Sequence, residues 1–142
     1  MPSVELVAGN PIVVPAREVG TATYTAGDLV QFDTSGYIAL GSAASYCAIA
    51  RKTGSTTAGT ECEIEMVNPY NVYRMKGVAG TSIAWTDIGV GFAITFTSGG
   101  QYITVGTATD GYVVSLEDPI GTSGGLYLVQ FLDTAIATGL IG

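Results

Sequence analysis

The most regular stretch of the chain is a strict alternation in which Cys62, Ile64 and Met66 are apolar and Glu61, Glu63 and Glu65 between them are charged. A period of two marks a strand with one buried and one solvated face. The period returns at Phe92, Ile94 and Phe96 within 90–97, and Ser98-Gly99-Gly100 then leads into a strand over 101–105. Shorter apolar runs over 29–32, 37–40, 46–50, 112–116 and 126–132 are bounded by turn formers. Asp33-Thr34-Ser35-Gly36 is the clearest of these turns. Its glycine supplies the positive φ of a hairpin joining 29–32 to 37–40. No long window has the period of a helix. About eight to ten short strands separated by turns predict an all-β fold, a compact single-domain β-barrel or β-sandwich of short antiparallel strands over residues 21–142.

The alternating strand invites a partner. Asn68-Pro69-Tyr70-Asn71 can turn the chain, and 72–76 can return it. In that register Glu65 faces Arg74, Glu63 faces Lys76, Ile64 faces Met75 and Met66 faces Tyr73. Charges then meet charges on one face and apolar groups meet on the other. Three carboxylates on one strand also resemble an acid–base or cation site. The cross-strand cations explain them more simply.

The first twenty residues differ in style. Pro2, Pro11 and Pro15 each remove a backbone donor and favour extended chain. Residues 1–20 are therefore expected to be an extended N-terminal arm with at most one or two edge strands. Val4, Leu6, Ile12, Val13 and Val14 need burial, either on their own domain or on a neighbouring subunit, and they are the candidate contact residues. The uncharged ending AIATGLIG either tucks into the domain or forms a second adhesive end.

Charge narrows the function. Five basic and twelve acidic residues, with no histidine, give a net charge of −7. Nucleic-acid binding needs a basic footprint to neutralise phosphates, so it is excluded, and an anionic membrane surface is disfavoured on the same ground. No apolar run approaches the roughly 20 residues of a spanning helix, and nothing at the start resembles a signal peptide. Synthesis in a reducing cytoplasm, with Cys47 and Cys62 as buried thiols, is expected, although one bridge between them is compatible with the sequence. Charged residues make up only 12% of the chain against 47% hydrophobic ones. A surface built of Ser, Thr, Gly, Ala and Tyr is cheaper to desolvate against a partner than one covered in Lys and Glu.

Catalytic chemistry finds little to use. Without histidine there is no Ser–His or Cys–His pair and no commonest zinc ligand. The pairs Gly99-Gly100 and Gly124-Gly125 precede strands rather than helices, so no phosphate loop is present. Glu117-Asp118 could supply half of a glycosidase pair but reads better as a solvated strand end. Asp33, Asp110 and Asp118 lack the spacing of a calcium loop. The tyrosines and Trp85 are scattered, which suits core and interface use better than a sugar platform. The chain is therefore read as a non-enzyme with no cofactor and no metal.

In TAGDLVQFDTSGYIAL, CAIARKTG and AGTECEIEMVNPYNVYRM, followed by FAITFTSGGQYITVG and GYVVSLED…LYLVQFL, the chain resembles small phage capsid decoration proteins, also called cement or head-stabilising proteins. The likeness spans most of 21–132 as a pattern of strands and turns. It implies a compact barrel, arranged as homo-oligomeric dimers or trimers on the outer surface of the virion. Its partners would be the major capsid protein and itself, and it would stabilise the shell by bridging neighbouring capsomers. Many copies of a weak contact reinforce strongly, and low-charge edge strands can dock by strand addition. The alternative readings are a phage tail, baseplate or head-fibre β-module, a carbohydrate-binding adsorption module using Trp85 or an exposed tyrosine, and an enzyme built on a β-barrel.

Overall fold

A computed structural model describes residues 2–21, 24–97, 99–106 and 110–136. Among the described residues eleven strands carry the fold: β1 (Val4–Ala8), β2 (Val13–Arg17), β3 (Leu29–Phe32), β4 (Ile38–Leu40), β5 (Ala48–Ala50), β6 (Glu61–Met66), β7 (Val72–Lys76), β8 (Gly91–Thr97), β9 (Gly100–Val105), β10 (Gly111–Leu116) and β11 (Leu126–Phe131). The only helical segments among the described residues are two short 3-10 turns, Trp85–Asp87 and Asp133–Ala135. The fold is all-β.

The strands form two antiparallel sheets, ordered β2-β6-β5-β3-β4 and β1-β7-β11-β10-β8-β9. They belong to two compact units. One holds Pro11–Val67 together with Ile136, the other Ser3–Asn10 and Asn68–Ala135. Among the described residues neither sheet closes through a full strand pairing, so the closed-barrel form of the expectation is corrected, while the all-β, antiparallel reading stands.

The 29–40 hairpin forms as the turn chemistry dictates. Asp33 Oδ1 accepts from the amides of Ser35 and Tyr37 at 2.8 and 2.9 Å, and Gly36 adopts φ 81°. Behind it pair Val30 with Leu40 and Phe32 with Ile38. The alternation of 61–66 likewise places Cys62 and Ile64 inside, among Tyr24, Val30, Ile38, Cys47 and Ala48.

The expected pairing of 61–66 with 72–76 does not form. β6 pairs with β2 and β5 in the five-stranded sheet, and β7 pairs with β1 and β11 in the six-stranded one. Arg74 meets Glu5 and Glu117 rather than Glu65, while Glu61 bonds Arg17 and Glu65 approaches Arg51. Alternation fixes which face a residue takes but leaves the partner strand open. The segment 68–71 is held as a crossing instead of a hairpin: Tyr73 Oη accepts from the Asn68 amide, and the Asn71 side chain donates to the Asn10 carbonyl.

The two units are built alike. Replacing β2, β3, β4, β5 and β6 by β7, β8, β9, β10 and β11 turns the first strand order into the second, with β1 added at its edge. The registers correspond residue by residue. Val14↔Ile64 matches Tyr73↔Val129, Val30↔Ala48 matches Phe92↔Gly111, and Ala50↔Ile64 matches Val113↔Val129. Loop hydrogen bonds repeat as well. Cys47 N–H to Val30 O recurs as Asp110 N–H to Phe92 O, both 2.9 Å. Gly27 N–H to Ala50 O recurs as Gly89 N–H to Val113 O, both 2.8 Å. In each unit one parallel bridge brings a first strand to the last hairpin strand, Glu18↔Ile38 and Gly77↔Ile103. The chain therefore contains one five-strand unit twice.

Candidate functional site

The candidate contact residues part company in the structure. Val4 is buried on β1, Leu6 is half-buried opposite Tyr73, and Val14 packs on the core of the first unit. Ile12 and Val13 remain exposed at 45% and 37%, as does Val7 at 41%. Residues 4–8 and 13–17 are edge strands of their respective sheets. Of the closing segment AIATGLIG, Ile136 packs against the core of the first unit, and 137–142 lie outside the described residues.

The exposed edge of β2 has a defined backbone pattern. Ile12 O accepts from Met66 N–H, and Glu18 N–H donates to Thr60 O, so residues 12, 14, 16 and 18 turn their polar groups toward β6. In an antiparallel ladder the residues between them face the other way. Val13 and Arg17 thus present donors and acceptors outward, and Pro15 presents only a carbonyl.

An open groove of about 980 Å³ runs along this edge. Pro15, Ala16 and Arg17 line one side, and Phe32, Ser35, Gly36 and Tyr37 of the 29–40 hairpin line another. Arg51, Lys52, Glu61, Cys62 and Glu63 complete it. Three of the chain's five cations therefore stand in one groove of an acidic protein. Arg17 is tied to Glu61 at 3.1 Å and to the Gly59 carbonyl at 2.9 Å.

Next to Arg17 in the chain, Glu18 is the centre of a polar knot that the sequence reading did not single out. Glu18 is 1% exposed. Its carboxylate accepts from the Ser55 amide at 2.7 Å, the Ser55 hydroxyl at 2.6 Å and the Tyr24 hydroxyl at 3.0 Å. Burial pushes the carboxyl up, but the Ser55 and Tyr24 donors and the charge of Lys52 outweigh it, so Glu18 stays below the ordinary range. The same burial and the Glu18 bond push the Tyr24 hydroxyl well up. Glu18 lies within the stretch expected to be an extended arm, and a lone glutamate there gives no pattern to read.

The remaining candidates have structural duties. Glu117 is held low by the Arg74 guanidinium, which grips it through two nitrogens, and the Asp118 carboxylate accepts from Leu126 N–H at 2.8 Å. Asp110 is buried and accepts from Ile94 N–H at 2.8 Å. No group of three His, Cys, Asp or Glu residues among the described residues is placed to hold a metal ion. Cys47 and Cys62 are buried and unbonded, and burial raises both thiols. Trp85 is exposed, as is Tyr70, and they lie on separate loops. Among the described residues no helix is long and apolar enough to cross a membrane. No family model matches the sequence, and no curated protein matches it.

Proposed function

We propose that this chain is a viral structural protein of the capsid-decoration type, which binds the outer surface of a shell of major capsid protein and stabilises it. The observation that carries the reading is the exposure of Ile12 and Val13, apolar residues at the start of an edge strand. Apolar groups left at an open edge favour contact with another protein, because their burial is worth roughly 25 cal/mol per Å². The sparse charge elsewhere lowers the cost of desolvating a contact surface. A net charge of −7 suits an outer-surface position away from packaged nucleic acid. The resemblance in strands and turns over 21–132 supports the same reading.

The test is the copy number of this chain in purified particles from its source, measured by quantitative mass spectrometry against the most abundant shell protein. A fixed simple ratio is expected, and the double variant Ile12→Ser, Val13→Thr should lower that occupancy while the chain stays folded. Truncating the first fourteen residues is not a clean variant, since it would strip β1 from one sheet and part of β2 from the other. A few copies per particle would replace this reading by a tail or baseplate module. Absence from particles would overturn it.

A further inference from the structure

The repeat supplies its own reference for the groove. In the second unit the first strand of the repeat, β7, is covered by β1, with Val4↔Met75, Glu5↔Arg74 and Leu6↔Tyr73 in register. Gly77 N–H donates to Gly125 O, so Tyr73, Met75 and Gly77 face β11 and Arg74 turns its backbone toward Glu5. Ser3, immediately before β1, reaches the hairpin of that unit, where Gln101 N–H donates to Ser3 Oγ at 3.1 Å. One extended segment thus bridges the first strand and the last hairpin of the repeat.

Transferred through the matching registers, Arg74, Met75 and Lys76 become Pro15, Ala16 and Arg17. Counted back from the matching bridges at Ile103 and Ile38, Gln101 and Tyr102 become Gly36 and Tyr37. These are the two walls of the groove in the first unit. No strand of the described residues lies there. We propose that this groove binds an extended segment of a partner polypeptide, laid along β2 as β1 lies along β7, and that the segment alternates apolar residues with an acidic one.

The occupant follows from counting and from charge. The described chain carries one such covering strand and two places for it, and β1 is engaged in the second unit. Filling both places in every copy requires a strand from a different protein. In the second unit the covering strand sets Glu5 against Arg74 at 3.0 Å. In the first unit Arg17, Arg51 and Lys52 line the place it would take against Glu61 and Glu63, and with Arg17 held by Glu61 it is Arg51 and Lys52 that favour an acidic residue there. Pro15 stands where Arg74 offers an amide, so backbone pairing is one donor poorer and side-chain chemistry must select the strand. The groove sets that chemistry whether the strand's owner is a shell protein or another partner. A failure here leaves the particle assay untouched, and the reverse also holds.

The test uses the full chain and a synthetic peptide with the sequence of residues 2–10, PSVELVAGN, titrated while backbone amide signals are followed by NMR. Saturable shifts centred on Val13, Arg17, Gly36 and Tyr37 are expected. The Glu5→Lys version of the peptide should bind at least tenfold more weakly to the chain. The Arg51→Glu, Lys52→Glu chain should lose the unmodified peptide to a similar extent. No saturable binding, shifts elsewhere, or indifference to both charge changes would overturn the proposal. Concentration-dependent shifts at the same residues without peptide would assign the groove to a second copy instead. Binding seen only after removal of 137–142 would assign it to the chain's own C-terminal segment. Either outcome overturns the foreign-strand assignment.

Discussion

The two units share a backbone plan and fill it differently. Where the first pairs Val30 with Ala48, the second pairs Phe92 with Gly111. A larger side chain faces a smaller one: a Cβ on Gly111 would come within 2.8 Å of the Phe92 ring and 2.1 Å of the Gln130 carbonyl. Met66 of the first unit, half-buried, corresponds to Phe131, which lies edge-on to both Tyr73 and Phe92. The second unit thus has an aromatic core and an edge covered by β1. The first buries Tyr24 and Tyr46 among aliphatic residues and two thiols, and has an open edge. Within one chain, the cluster of edge-on rings and the covered edge go to one copy of the plan, while the open edge and its groove go to the other.

The sharpest way to break the comparison is to empty both cores at one matched position. Phe92→Ala should cost about 3–5 kcal/mol, since it deletes a fully buried ring and leaves a cavity beside Phe131. Val30→Ala removes two methyl groups and should cost about 2 kcal/mol, at about 0.8 kcal/mol per group plus a small cavity term. Chemical denaturation of each variant measures the difference. Equal losses would show that the aromatic cluster adds nothing to the second unit.

Next in size is the polar knot found in the first unit. Glu18→Gln should destabilise by about 2–3 kcal/mol, because an NH2 in place of Oε2 cannot accept from the Ser55 hydroxyl and the bonds that remain lose the carboxylate's charge. The sign with pH follows from the lowered carboxyl. Its contribution is complete above the ordinary carboxylate value of 4.5 and is lost as pH falls through the lower folded value. Glu117 adds to the same trend in the second unit. Wild-type stability should therefore fall from about pH 4.5 downward, and the Glu18→Gln chain should fall less over that range. Parallel acid profiles for the two proteins would refute the assignment.

Much of this plan was legible in the sequence, and the misreadings have a physical cause. The 29–40 hairpin could be read because Asp33 and Gly36 act locally, within a few residues of the turn they make. The faces of 61–66 could be read because alternation is also local. The partner of 61–66 could not, because Glu65 and Arg74 satisfy a hairpin on paper as well as Glu5 and Glu117 satisfy Arg74 in space. The place of residues 4–8 beside 72–76 depends on contacts some 70 residues apart. The repeat was hidden because matched positions keep their registers while their identities drift, as in Val30 to Phe92. What survives in the letters is little more than Tyr37-Ile38 beside Tyr102-Ile103.

The volume exchange offers a smaller and more pointed test. Gly111→Ala should cost about 1–3 kcal/mol, because the clash is with backbone and must move β10 or β11. The reverse change in the first unit, Ala48→Gly, should cost only about 0.5–1 kcal/mol of backbone entropy. If Gly111→Ala cost no more than Ala48→Gly, the pairing of large with small across the two cores would have no energetic meaning.

Pro15→Val should change monomer stability least and reports most directly on the open edge. Losing the proline frees the unfolded chain by about 0.4–1 kcal/mol, partly offset by a better strand former. The larger consequence is outward. Position 15 turns its backbone away from β6, so the new amide adds a third donor between those of Val13 and Arg17. An uninterrupted edge with apolar Ile12 and Val13 at its start is a template for pairing with another copy. Sedimentation velocity at rising concentration should therefore show Pro15→Val associating further than the wild type. Restoring a block at the next outward residue, with Val13→Pro in the same chain, should return the wild-type profile. A Pro15→Val chain with the wild-type profile would mean that proline does not guard this edge, and that the difference between the two units rests on side chains alone.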